Sequence, residues 1–178
     1  PLLALLLFCL ALPCASAADV TPSPQKLSVD GTDADCDKYN IDGSNYFKLR
    51  DLAYLLSKSD SRFSVAFDAE SNAVTVVPGG DYVPVGGELE RGKDLSKTAV
   101  ASKQSVLING EAVEGISVYN IGGNNYFKLR DLGSALGFTV AFDADANTAV
   151  VLSKGSKATY QNAFETLLGS VNEKRRTD

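Results

Sequence analysis

Two cations and a carboxylate within four positions, Lys48-Leu49-Arg50-Asp51, recur as Lys128-Leu129-Arg130-Asp131. Spaced this way around one leucine, the charges form a compact face suited to gripping a charged or polar ligand, and both copies sit beside tyrosines. Lys48, Arg50, Asp51, Lys128, Arg130 and Asp131 are therefore the candidate binding face. A second set, Asp68-x-Glu70-x-Asn72 and Asp143-x-Asp145-x-Asn147, imitates the opening of a calcium loop. The imitation stops early: the sharp-turn glycine falls on Ala73 or Thr148 and the bidentate glutamate on Gly79 or Lys154, so a hairpin turn explains these residues without a metal. Asp33, Asp35 and Asp37 alternate as they would on the solvated face of a strand. The chain has no histidine, which excludes Ser-His-Asp and Cys-His catalysis and histidine metal sites. Of the three cysteines, Cys9 and Cys14 lie in the first seventeen residues, leaving Cys36 without an intramolecular partner. Neither a P-loop nor a dinucleotide fingerprint is present. The expectation is no catalytic residues, no cofactor and no metal.

The elements that must position this face are written twice. YNIDGSNYFKLRDL (39–52) returns as YNIGGNNYFKLRDL (119–132), differing only at Asp42/Gly122 and Ser44/Asn124. Within each copy an apolar stripe, Leu49, Leu52, Ala53 and Leu56 or Leu129, Leu132, Gly133 and Leu136, has helical spacing, with Lys48, Arg50 and Asp51 expected to point away from it. Asn45 is a plausible helix cap. Two strand-like runs precede each helix, and FSVAFDAESNAVTVV or FTVAFDADANTAVVL follows as a hairpin. The expected fold class is α+β: two tandem β-β-α-β-β repeats, each a small antiparallel sheet packed around one helix, plus a C-terminal amphipathic helix. Residues 1–17 read as a secretory signal peptide ending in Ala15-Ser16-Ala17, its N-terminus incomplete. Residues 18–24 are a linker, 25–78 and 105–153 the repeats, and 79–104 a Gly- and Pro-rich linker with an ordered stretch expected at Tyr82 to Val85. Residues 154–178 carry Tyr160, Phe164, Leu167, Leu168 and Val171 on one helical face, a capping helix or a protein-binding one. Units this small are marginal alone, so they are expected to pack together or exchange strands.

The net charge of −5 argues against nucleic acid and anionic membranes as partners, and the apolar N-terminal run is too short for a span of the bilayer. The duplicated stretch, from YNIDGSNYFKLRDLAYLL to FSVAFDAESNAVTVV and again in the second copy, resembles the copper amine oxidase-like N-terminal domain, or stalk domain, of secreted proteins in Gram-positive bacteria. The resemblance covers about residues 25 to 153. It implies a small antiparallel sheet around one helix per unit, without an active site. It implies neither copper binding nor amine oxidation, since that chemistry belongs to domains this chain lacks.

Together these features predict a secreted, non-catalytic stalk or binding module, extracellular or cell-surface associated, that acts as a spacer or adhesion domain on a cell-wall polymer or another secreted protein. One alternative is a carbohydrate-binding module using Tyr39, Tyr82 and Tyr119 as stacking platforms. Another is a secreted hydrolase or its inhibitor, using Asp68 and Asp143, which requires those carboxyls to converge in one pocket.

Overall fold

A computed structural model describes residues 18–92 and 94–156. The expected signal peptide and most of the expected C-terminal helix lie outside the described residues. Two-residue turns set the local structure. Asp30-Gly31, Asp42-Gly43, Asn109-Gly110 and Gly122-Gly123 all hold positive φ at both positions, the geometry of tight hairpins. The Asp42/Gly122 difference preserves the turn, because aspartate and glycine both tolerate this conformation, but not its surroundings: the Asp42 carboxylate accepts the Asp19 N–H, whereas Gly122 lies against Leu95 with no room for a Cβ.

The first repeat contributes β1 (Val20–Pro22), β2 (Lys26–Val29), β3 (Thr32–Ala34), β4 (Lys38–Ile41), β5 (Ser44–Lys48), α1 (Leu49–Leu56), β6 (Phe63–Asp68) and β7 (Ala73–Pro78). After a 3-10 turn at Ser96–Thr98, the second supplies β8 (Val100–Ala101), β9 (Ser105–Ile108), β10 (Glu111–Ala112), β11 (Val118–Ile121), β12 (Asn124–Lys128), α2 (Leu129–Leu136), β13 (Thr139–Asp143) and β14 (Thr148–Leu152).

These strands do not close into two β-β-α-β-β units, and the α+β expectation is corrected to a mostly β fold, which among the described residues has three shared sheets and two short helices. One sheet runs β1-β4-β5-β12-β11-β8, so the two copies of the repeated sequence meet edge to edge. The others run β10-β9-β7-β6 and β13-β14-β2-β3. In each, the first hairpin of one repeat joins the last hairpin of the other through a parallel pair, β7 with β9 and β14 with β2. The physical reason is core size: a single repeat has too little apolar surface for an independent core. By exchanging hairpins the repeats build one core instead, running from Leu27, Phe47, Leu52 and Val76 of the first to Val106, Phe127, Leu132 and Val151 of the second. The exchange is locked at its end, where Ser153 donates its N–H and its hydroxyl to the Asp30 carboxylate, each at 2.7 Å.

The junction of β5 and β12 explains the duplicated text. Phe47 stands directly opposite Phe127, Tyr46 opposite Lys128, and Lys48 opposite Tyr126. An antiparallel pair centred on identical residues has a local twofold axis through its middle, so a strand pairing with its own repeat must be self-complementary. Both phenylalanines are fully buried on the helix side. Tyr39 packs edge-on against Tyr126 and Tyr46 against Tyr119 on the other side, at centroid distances of 5.2 and 5.4 Å.

The helices begin later than a cap at Asn45 predicts. Asn45 lies in β5 and caps nothing; Lys48 occupies the cap position in extended geometry and supplies no side-chain cap bond. Pairing with β12 holds residues 46–48 in the sheet, so the helix starts only where the apolar stripe itself starts, at Leu49.

Candidate functional site

Residues 79–92 and 94–95, expected as part of a linker, form a strap across the first repeat. Tyr82 is buried, and its hydroxyl donates to the Glu88 carboxylate at 2.6 Å, which also accepts the Val85 and Gly86 N–H groups. Further along, Gly92 donates to Asp37, Leu95 donates to the Tyr39 hydroxyl, and Arg91 pairs with Asp35 at 2.7 Å. Asp35 and Asp37 therefore anchor the strap. The acidic run is not one solvated strand face, since β3 ends at Ala34 and Asp37 is half-buried.

Strap donors hold the Glu88 carboxyl down at about 2, the Tyr82 hydroxyl first and the Val85 N–H next. A depressed folded value stabilises the fold above the ordinary value of 4.5, and that contribution is lost as pH falls towards about 2. Amide-exchange protection of Val85 and Gly86 is thus expected to fall across that window. In Glu88→Gln, whose neutral amide cannot titrate, exchange at these amides should be fast at neutral pH and show no step.

The strap divides two identical motifs into two states. Lys48 is buried, with Nζ 3.0 Å from the Asp51 carboxylate and donating to the Gly87 carbonyl at 2.8 Å. Asp51 is fully buried and accepts the Leu89 N–H, while its Oδ2 has no hydrogen-bond partner among the described residues. Burial pushes the Asp51 carboxyl up, and the Leu89 N–H and Lys48 offset part of that rise. The expectation that Lys48 and Asp51 project to solvent is therefore corrected. In the second copy Lys128 and Asp131 stand 4.0 Å apart, with side chains 35% and 27% exposed, as the spacing predicts. Arg50 lies against the Tyr82 hydroxyl, whereas Arg130 is exposed and makes no ion pair among the described residues.

Both motifs open onto grooves that the twofold axis relates. One, of about 290 Å³, sets Gln25, Ser44 and Asn45 of the first repeat against Lys128, Arg130, Val140 and Phe142 of the second. Its counterpart, of about 220 Å³, sets Gln104, Asn124 and Asn125 of the second against Lys48, Arg50, Val65 and Phe67 of the first. Each groove needs both repeats, because its amide wall comes from one and its cationic, aromatic wall from the other. The amides are pre-positioned: Asn45 donates to Gln25 at 2.8 Å, and Asn125 to Gln104 at 2.6 Å.

Phe67 and Phe142, 49% and 46% exposed, are groove residues that the sequence pattern assigned only to hairpin strands. Their one visible signal was the retention of Val-Ala-Phe-Asp in both copies, at 65–68 and 140–143. The tyrosines expected as stacking platforms are not platforms: Tyr39 and Tyr82 are buried and Tyr119 is packed against Tyr46. Asp68 and Asp143 end different sheets. Asp68 is tied into its own turn by Ser71 and the Glu70 N–H, and Asp143 by the Ala146 N–H, so the two carboxyls share no pocket. Cys36 is buried and free, and burial pushes its thiol up to about 12, which keeps it unreactive at neutral pH. No helix among the described residues is long and apolar enough to cross a membrane. Comparison of the chain with family models, curated proteins and solved structures returns no match.

Proposed function

We propose that the chain is a secreted, non-catalytic binding module that attaches to a cell-wall polymer at the cell surface, with the stalk-like spacer role that its resemblance implies. The observation that carries this reading is the pair of grooves, each completed by both repeats and each combining amide, cationic and exposed aromatic groups, as ligand sites do. The carbohydrate-binding alternative gains from Phe67 and Phe142, which offer the exposed rings that the tyrosines do not. A hydrolase based on Asp68 and Asp143 draws no support from two carboxyls on separate turns.

The test is co-sedimentation of residues 18–178 with purified Gram-positive cell walls, beside an Arg50→Ala/Arg130→Ala variant with an unchanged circular dichroism spectrum. The wild type is expected in the pellet and the variant in the supernatant. A wild type that stays soluble overturns the reading.

A further inference from the structure

The two grooves share their walls but not their charge. In the Lys48 groove the ammonium is withdrawn, because the Asp51 carboxylate and the Gly87 carbonyl take it into the strap, and Arg50 leans on Tyr82. In the Lys128 groove the ammonium is partly exposed and 4.0 Å from its carboxylate, and Arg130 is unpaired among the described residues. Although the protein carries a net charge of −5, this groove presents two available cations beside an exposed phenyl ring.

We propose that the Lys128–Arg130–Phe142 groove binds a carboxylate-bearing saccharide, and that the Lys48 groove binds the same ligand much more weakly. This rests on the reading of the chain as a wall-binding module and names the chemistry its open site takes. A guanidinium presents a planar fork matched to a carboxylate, and Lys128 adds a mobile point charge. The carbon-hydrogen face of a sugar ring is apolar and buries well against Phe142. Asn45 occupies the Gln25 oxygen, which leaves the Gln25 NH2 group to donate to a ring hydroxyl or acetamido oxygen. A cleft of about 290 Å³ suits one or two sugar residues and is small for a folded partner.

Isothermal titration of residues 18–178 tests the assignment with four probes: a tetra-uronate, with its carboxylates on the rings; a muramic acid disaccharide, with its carboxylate on a lactyl ether; neutral chitotetraose; and an extended acidic peptide. Binding of at least one acidic saccharide, about tenfold or more tighter than chitotetraose and the peptide and weakened by salt, is the expected result. Which acidic probe wins identifies the carboxylate's source. Arg130→Ala and Phe142→Ala should each weaken that binding about tenfold or more, whereas the matched Arg50→Ala and Phe67→Ala should change it less than about threefold. Equal losses from the two sets, equal affinity for chitotetraose, tighter peptide binding, or no binding overturns the assignment. Wall sedimentation separates the two failures. Walls retained by a protein that binds no acidic saccharide sink the groove assignment alone, and walls not retained by the wild type sink the module reading.

Discussion

Replacing Phe127 with alanine is expected to cost about 3–5 kcal/mol and to lower the stability of both repeats together. Phe127 is fully buried opposite Phe47 at the centre of the strand pair that joins the repeats. Its neighbours are fixed by sheet pairing on both sides, so the cavity has little freedom to collapse, and the cost belongs at the upper part of the range for large core truncations. That loss is a large share of the 5–15 kcal/mol that ordinary domains possess. Both helices pack across the junction, α1 on β12 and α2 on β5, so damage at Phe127 reaches each of them. Denaturant unfolding followed by backbone amide signals from β7 and β14 should give coincident transitions, shifted by the same amount. If the substitution melts β13 and β14 while β6 and β7 stay native, the repeats are separate units after all.

The limits of the sequence reading have the same physical source. Hairpin turns were legible because Asp-Gly and Asn-Gly supply positive φ locally, and the Leu49-Leu52-Ala53-Leu56 stripe marked a helix because its spacing is local too. Partner choice was not legible. Lys26 to Val29 pairs with Thr148 to Val151, more than a hundred positions away, and alternation within a strand does not say which edge it will join. The cap at Asn45 was misplaced for the same reason, since residues 46–48 have a strand partner that the local sequence does not reveal. In the groove, Arg50 and Arg130 were visible as repeated cations. Phe67 was not, because it shares the alternation of Phe63, which is buried, while β6 runs on past the edge of the core. Nor can local sequence separate Lys48 from Lys128. Their neighbours are identical from Asn45 to Leu52 and from Asn125 to Leu132, and among the described residues it is the strap that makes them differ.

That difference gives the sharpest contrast available between two identical sequences. Asp51→Ala is expected to destabilise the protein by about 3–5 kcal/mol, because it leaves the buried Lys48 ammonium without its counter-charge. It also removes the acceptor for the Leu89 N–H, so the strap loses an anchor with the ion pair. Asp131→Ala deletes the equivalent carboxylate from the second copy, where the pair is 4.0 Å long and part-exposed, and should change stability by no more than about 1 kcal/mol. The double replacement Lys48→Met/Asp51→Leu should recover much of the Asp51→Ala loss, since removing both charges leaves no buried ion uncompensated. Urea unfolding of the three variants at neutral pH measures all of this. Equal losses from Asp51→Ala and Asp131→Ala would mean that the strap does not bury the first pair. A double variant no more stable than Asp51→Ala would place the cost in the lost Leu89 anchor, with the unpaired lysine contributing little.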